Sequence, residues 1–178
     1  LGPSPMAVKA IQRALEKMHR YPNGGSYDLI GRLSRRLNIH RENIVLGNGS
    51  DDIIALLANT LLRPGERAVM PQPSFLMYEI AIRSVGAEPV FVPLKSLAID
   101  LDGMRRAVDE KTRLVFLCNP NNPTGAYIDR TELKSVCECH PDTRFIIDES
   151  YLPFVEGGRA KSMVAVGLKN VIVLLSIS

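Results

Sequence analysis

No apolar run in the 178-residue chain approaches the ~18–20 residues that a membrane-spanning helix needs, so no spanning helix is expected. No charged-then-apolar leader opens it either, although the chain begins on Leu1 rather than Met and its native start is left open. A block of about five or six basic residues is also missing: the net charge of +3 is spread along the whole length. That argues against a nucleic-acid or membrane-surface partner and for a small molecule. Cysteine is scarce. Three are an odd number and too few for a disulfide framework in a chain this long, which points to a reducing, cytoplasmic compartment. Cys137-Glu138-Cys139-His140 holds ligand-type residues but lacks a second ligand pair at zinc-site spacing, so no metal is expected. Repeats, low-complexity tracts and linkers rich in Pro, Gly or Ser are absent, and no domain boundary is marked.

What is present looks globular, with 46% hydrophobic and 23% charged residues and enough length for one sizeable core. Helical periodicity runs from about Ser4 to His19, with Met6, Ala10, Ile11, Ala14, Leu15 and Met18 on one stripe, and breaks at the turn cluster Tyr21-Pro22-Asn23-Gly24-Gly25. A short helix at Tyr27–Leu37 leads to an expected strand at Ile44–Leu46. Helices at Asp51–Leu62, Leu76–Ser84, Asp102–Val108 and Arg130–Cys139 then alternate with strands at Arg67–Met70, Glu88–Val92, Arg113–Leu117, Arg144–Ile147 and Val171–Leu175. Short, almost wholly apolar strands between helices predict an α/β fold of layered type, its largely parallel sheet buried on both faces.

In such sheets chemistry gathers beyond the carboxyl ends of the strands. The loops there read GNGSDD after Leu46, PQPSF after Met70, CNPNNPTG after Leu117, DESY after Ile147 and SIS after Leu175. Gly49, Ser50 and Asp51 stand where a helix starts, and free amides with the positive end of the helix dipole suit a phosphate, though a plain N-cap would use the same residue types. Two Asn-Pro steps closed by Gly125 make a stiff loop in which one or both X-Pro bonds are candidates for cis, a good mount for an Asn amide that must keep one direction. Asp148 follows three apolar strand residues, where a carboxylate is costly unless a cation or donor meets it, so something positive is expected nearby, and Tyr151 can share its pocket. Together with the aromatic face of Phe75 these parts suit a phosphorylated pyridine ring. An Asp on the ring nitrogen keeps it protonated and the ring able to accept electrons, while an Asn of the stiff loop and a Tyr would hydrogen-bond the phenolic oxygen.

In their order and spacing, GPSP, HRYPNGG, VLGNGSDD, PQPSFLMY, RLVFLCNPNNPTG and FIIDESY resemble pyridoxal-phosphate-dependent aminotransferases of fold type I, class I/II, and among them the histidinol-phosphate aminotransferases. The likeness spans nearly the whole chain. It implies a three-layer α/β/α large domain that binds pyridoxal 5'-phosphate, represented in part by residues 1–178, with the N-terminal arm and C-terminal small domain outside the chain. It also implies that Asp148 pairs with the pyridine nitrogen, Asn122 and Tyr151 bond the phenolic oxygen, and Phe75 stacks on the ring where many relatives have Tyr. Gly49, Ser50 and Asp51 match the phosphate turn. Tyr21 matches a tyrosine reaching the phosphate of the neighbouring subunit, which implies a homodimer.

Ser176-Ile177-Ser178 matches the first three positions of a Ser/Thr-x-Ser-Lys segment in this family, so Ser176 and Ser178 become candidate phosphate ligands and the lysine that binds the cofactor is expected directly after Ser178. None of the seven lysines present stands in that context. The stop at Ser178 fits either a truncation or a following lysine joined to cofactor and so not written as a standard residue. The activity implied is transfer of an amino group between glutamate and a phosphorylated substrate, histidinol phosphate with its imidazole-acetol phosphate partner, in histidine biosynthesis. Threonine-phosphate decarboxylase shares these loops and is the alternative within the fold. A non-catalytic cofactor-binding fragment is the alternative outside enzymes.

Overall fold

The computed structural model describes residues 2–176, which divide into a unit ending at Val45 and a larger one beginning at Leu46. The first holds helices α1 (Pro5–Leu15) and α2 (Tyr27–Leu37). Pro5 starts α1 because it has no amide to leave unpaired there. The helix stops at Leu15, short of the expected His19. Beyond it the chain tightens through i→i+3 bonds, Lys17 N–H to the Ala14 carbonyl (2.9 Å) and Met18 N–H to that of Leu15 (3.2 Å). The apolar stripe is real but uncovered: α1 buries no residue, and Met6, Ile11 and Leu15 are 82%, 62% and 55% exposed. α2 has the expected bounds. Asn38 closes it in the left-handed conformation (φ 55°), a geometry asparagine tolerates. The expected strand at Ile44–Leu46 does not form. These residues follow a single 3-10 turn (Arg41–Asn43) and pair with no strand among the described residues, and a three-residue apolar run without a partner cannot make sheet.

In the second unit, α3 (Gly49–Leu61) precedes the strands β1 (Arg67–Gln72), β2 (Glu88–Pro93), β3 (Thr112–Cys118), β4 (Arg144–Asp148) and β5 (Val171–Leu174). α4 (Leu76–Ser84) joins β1 to β2, α5 (Leu101–Ala107) joins β2 to β3, and α6 (Arg130–Cys139) joins β3 to β4. The strands are parallel, in the order β2-β1-β3-β4-β5.

Side-chain alternation along the strands sets the layers. Leu114, Phe116 and Cys118 of β3 and Ile146 of β4 pack with Ile54, Ala58 and Tyr78 from α3 and α4. Val115, Leu117, Phe145 and Ile147 pack on the other face with Met104 of α5 and Leu133 and Val136 of α6. The result is the three-layer α/β/α arrangement, with central strands buried on both sides. From β1 the chain winds to β2 through a helix on one face and returns to β3 through a helix on the other, so the carboxyl-terminal loops of neighbouring β1 and β3 part in opposite directions. That is the switch point where open parallel sheets form a crevice.

Asn170 shows how the connections are held. It is buried, and its Nδ2 donates to the carbonyls of Cys137 (2.9 Å), His140 (3.1 Å) and Thr143 (3.4 Å), which serve as acceptors at and beyond the end of α6. Asn170→Ala is expected to lower the unfolding free energy by about 1–3 kcal/mol in a denaturant titration, because buried carbonyls lose their donor. An unchanged midpoint would contradict this assignment. Cys137 lies on the buried side of α6, where burial pushes its thiol up to about 12, whereas Cys139 is exposed.

Candidate functional site

Parallel strands deliver their carboxyl-terminal loops to one edge of the sheet, and the described residues singled out from Gly49 to Ser176 sit on loops, helix starts or, for Asp148, a strand end of the second unit. α3 opens at Gly49, whose φ of +85° lies in the left-handed region that favours glycine. Its N-cap Asn48 makes no side-chain capping bond, and among the described residues no side chain caps the first-turn amides of Gly49, Ser50 and Asp51 at the positive end of this 13-residue helix. Asp52 folds back and its Oδ2 accepts from the Asn48 N–H at 2.9 Å. These amides suit a phosphate.

The loop after β3 is stiff because two of its three asparagines are consumed within the protein. Asn119 donates from Nδ2 to the Ile128 carbonyl (3.0 Å) and accepts at Oδ1 from the Ile128 N–H (2.8 Å). Asn121 accepts at Oδ1 from Ser74 Oγ (2.9 Å) and donates from Nδ2 to the Pro73 carbonyl (3.2 Å) and Thr124 Oγ1 (3.1 Å). Asn122 is half-buried, and its side-chain amide is left without a hydrogen bond among the described residues. The Asn119-Pro120 and Asn122-Pro123 bonds are both cis, as is Gln72-Pro73.

Asp148 ends β4 at 3% exposure, on the same sheet face as α3 and α4. The expected positive group is not what meets it among the described residues: the donors are neutral. Tyr78 Oη donates to Oδ2 at 2.8 Å, and Ser150 donates to Oδ1 from its N–H (3.0 Å) and its Oγ (2.7 Å). No Lys or Arg forms an ion pair with this carboxylate among the described residues. Burial and the neighbouring Asp148 charge hold the Tyr78 hydroxyl well above its ordinary value, so it stays a donor. The Tyr78 ring stacks on Phe116 (4.8 Å between centroids) and meets Phe75 edge-on (5.6 Å). One side chain therefore braces both Phe75 and Asp148.

Of the other predicted residues, Tyr151 is 48% exposed beyond β4 with its ring near that of Phe154, and Ser176 follows β5. Ser178 lies outside the described residues. Tyr21 belongs to the first unit and is 96% exposed. Cys118, paired in register with Asp148, is buried, and burial pushes its thiol up to about 11. Glu149 points elsewhere, accepting from Ser162 Oγ (2.5 Å) and Met163 N–H (2.7 Å), and burial pushes its carboxyl up.

Sequence reasoning missed Tyr78, Ser150 and the Ser74–Asn121 pair. For Tyr78 a signal existed, since it lies three residues after Phe75 and such spacing shares a helix face. For Ser150 the signal was an Asp two residues upstream, the spacing of an Asx-type turn. The Ser74–Asn121 contact crosses between two loops and left none.

With this geometry in hand, comparison with known proteins is specific. The sequence pattern described as aminotransferase class I and II matches residues 1–178. Histidinol-phosphate aminotransferase 2 of Carboxydothermus hydrogenoformans is 43% identical over 154 residues, covering 86% of this chain and 42% of that protein. Histidinol-phosphate aminotransferase of Moorella thermoacetica is 37% identical and is matched by 100% of this chain over 47% of its own length. The chain thus spans about half the length of these curated relatives. Among solved structures, a putative histidinol-phosphate aminotransferase from Erwinia carotovora atroseptica superposes with a TM-score of 0.92 at 28% identity, over 100% of this chain and 54% of that one. L-threonine-O-3-phosphate decarboxylase from Porphyromonas gingivalis superposes at 0.83 with 29% identity, over 97% of this chain and 53% of that one.

Proposed function

The chain belongs to the aminotransferases of class I and II, and on that premise we propose that the complete protein is a pyridoxal-phosphate-dependent enzyme exchanging an amino group between the glutamate/2-oxoglutarate pair and the histidinol phosphate/imidazole-acetol phosphate pair, in histidine biosynthesis. The observation that carries the reading is the buried Asp148 carboxylate, held among the described residues by neutral donors, which fits a protonated pyridine nitrogen as its positive partner. When bound, the pyridine ring supplies a sink for the bonding electrons of the substrate's α-carbon. Asp148 holds the proton on the ring nitrogen. The first amides of α3, at Gly49, Ser50 and Asp51, receive the phosphate together with Ser176 and Ser178. Phe75 lies on the ring face, and Asn122 with Tyr151 orients the phenolic oxygen.

Residues 1–178 are assigned to the cofactor-binding large domain, and the family resemblance puts the lysine that moves the α-proton after Ser178. The working unit is a homodimer in which Tyr21 reaches the partner's phosphate. The exposed Tyr21 and the uncovered stripe of Met6, Ile11 and Leu15 support a second copy at this part of the chain. A cytoplasmic location is supported by the cysteine pattern, and no helix among the described residues is long and apolar enough to cross a membrane.

The likeness to the decarboxylase favours one second reading, loss of carbon dioxide from a phosphorylated amino acid. Assaying the full-length protein with pyridoxal phosphate separates the two. Histidinol phosphate plus 2-oxoglutarate is expected to yield glutamate, with no carbon dioxide from threonine phosphate. Carbon dioxide without glutamate would replace the reading by the decarboxylase.

A further inference from the structure

The crevice at the sheet's switch point is bridged by one side chain to which neither the motifs nor the proposed function give a role. Asn121 is 2% exposed on the loop after β3. Its Oδ1 accepts from Ser74 Oγ (2.9 Å) and its Nδ2 donates to the Pro73 carbonyl (3.2 Å), both on the loop after β1. The same Nδ2 donates to Thr124 Oγ1 (3.1 Å), and the Asn121 backbone closes its own loop, its N–H donating to the Ala126 carbonyl (2.9 Å) and its carbonyl accepting from the Gly125 N–H (2.7 Å). The neighbours in sequence are the residues of interest. Ser74 precedes Phe75, the proposed stacking ring, and Asn121 precedes Asn122, whose amide alone in this loop is left for a ligand.

We propose that Asn121 is a positioning residue: it ties the loop carrying Phe75 to the loop carrying Asn122 across the β1/β3 crevice, fixing the face contact and the edge contact that one aromatic cofactor needs at the same time. This rests on the proposed cofactor site. The physical reason is that the β1–β3 pairing runs only to Val69 and Val115, and the two loops beyond it leave toward opposite faces of the sheet, so the strand pairing does not extend to hold them together. A planar ring held between a stacking face and an amide tolerates little misplacement. An amide is suited to this tie because it donates and accepts at once and carries no charge to be desolvated.

The test is the affinity of the full-length protein for pyridoxal 5'-phosphate, by fluorescence or absorbance titration, with thermal melting of the cofactor-free form recorded beside it. Ser74→Ala removes one bond of the tie and is expected to weaken cofactor binding about fivefold with the melting temperature nearly unchanged, since one net hydrogen bond corresponds to roughly that factor. Asn121→Ala should weaken it by about 30-fold or more. In an Asn122→Ala background the Asn121→Ala loss should shrink severalfold, because residues acting as one unit are not additive. The inference is overturned if both single variants, folded, bind cofactor as tightly as wild type, or if the Asn121 loss is undiminished without Asn122. Should Asn121→Ala fail to fold, Ser74→Ala and Thr124→Val decide on the same readout. Wild type that does not bind pyridoxal phosphate would instead overturn the cofactor site itself, a distinguishable outcome.

Discussion

Asp148→Asn in the full-length protein is expected to lower amino-transfer turnover by about 10²–10³-fold, the scale lost when a preorganised electrostatic contact is removed from a reacting centre. Asparagine keeps the size and an acceptor but gives up the negative charge that would hold a proton on the ring nitrogen. The same change should leave the cofactor-free fold as stable as before, or more so. Its Oδ1 can go on accepting from Ser150, and Tyr78 Oη, now facing an N–H₂ group, can turn from donor to acceptor. A buried charge with no cation beside it among the described residues is meanwhile removed. Turnover measured beside a denaturation curve checks both halves. A variant of undiminished turnover would remove Asp148 from the chemistry, and one losing activity only through unfolding would make it a structural residue.

Ser50→Asp is the second change of large effect, and its two consequences have opposite sign. A carboxylate in the first turn of α3 interacts favourably with the helix dipole, so the cofactor-free protein should gain a few tenths of a kcal/mol, up to about 1. The same charge would stand where the phosphate is expected, beside Asp51 and Asp52, which already load that turn. Repulsion at close range, with occupation of the free amides, should weaken pyridoxal phosphate binding at least about 100-fold. Ser50→Ala, which removes only a hydroxyl, should weaken it about fivefold. Titration with pyridoxal phosphate, and with pyridoxal lacking the phosphate, checks the assignment. Ser50→Asp should discriminate sharply between the two ligands, and equal losses for both would move the phosphate elsewhere.

Much of this architecture was legible because its signals are local. The helices and strands from Asp51 onward differ from expectation by at most two residues at an end, since apolar strands flanked by turn residues repeat without interruption from Arg67 to Val92 and beyond. Ile44–Leu46 has no strand partner: strand propensity in three residues has no force unless a neighbouring strand supplies hydrogen bonds, and none does among the described residues. α1 carried a correct period and a wrong end, because the period persists through turns that tighten to 3-10 bonding.

At the site, Asp148 could be read from its position after Phe145-Ile146-Ile147, but not the identity of what satisfies it. Tyr78 reaches it across 70 residues of sequence, and no motif spacing encodes that approach. The same holds for Ser74 and Asn121, 47 residues apart, which meet because the strand order places β1 beside β3. Long-range polar contacts follow from topology, and topology becomes visible only when the sheet is assembled.

The most direct test is the structure of the full-length protein with pyridoxal 5'-phosphate bound. The expected result has an Asp148 carboxylate oxygen within hydrogen-bonding distance of the ring nitrogen, the phosphate on the amides at Gly49, Ser50 and Asp51, Phe75 against the ring face, and Asn122 on the phenolic oxygen. A cofactor bound with its nitrogen away from Asp148, or with its phosphate away from the start of α3, would contradict the account.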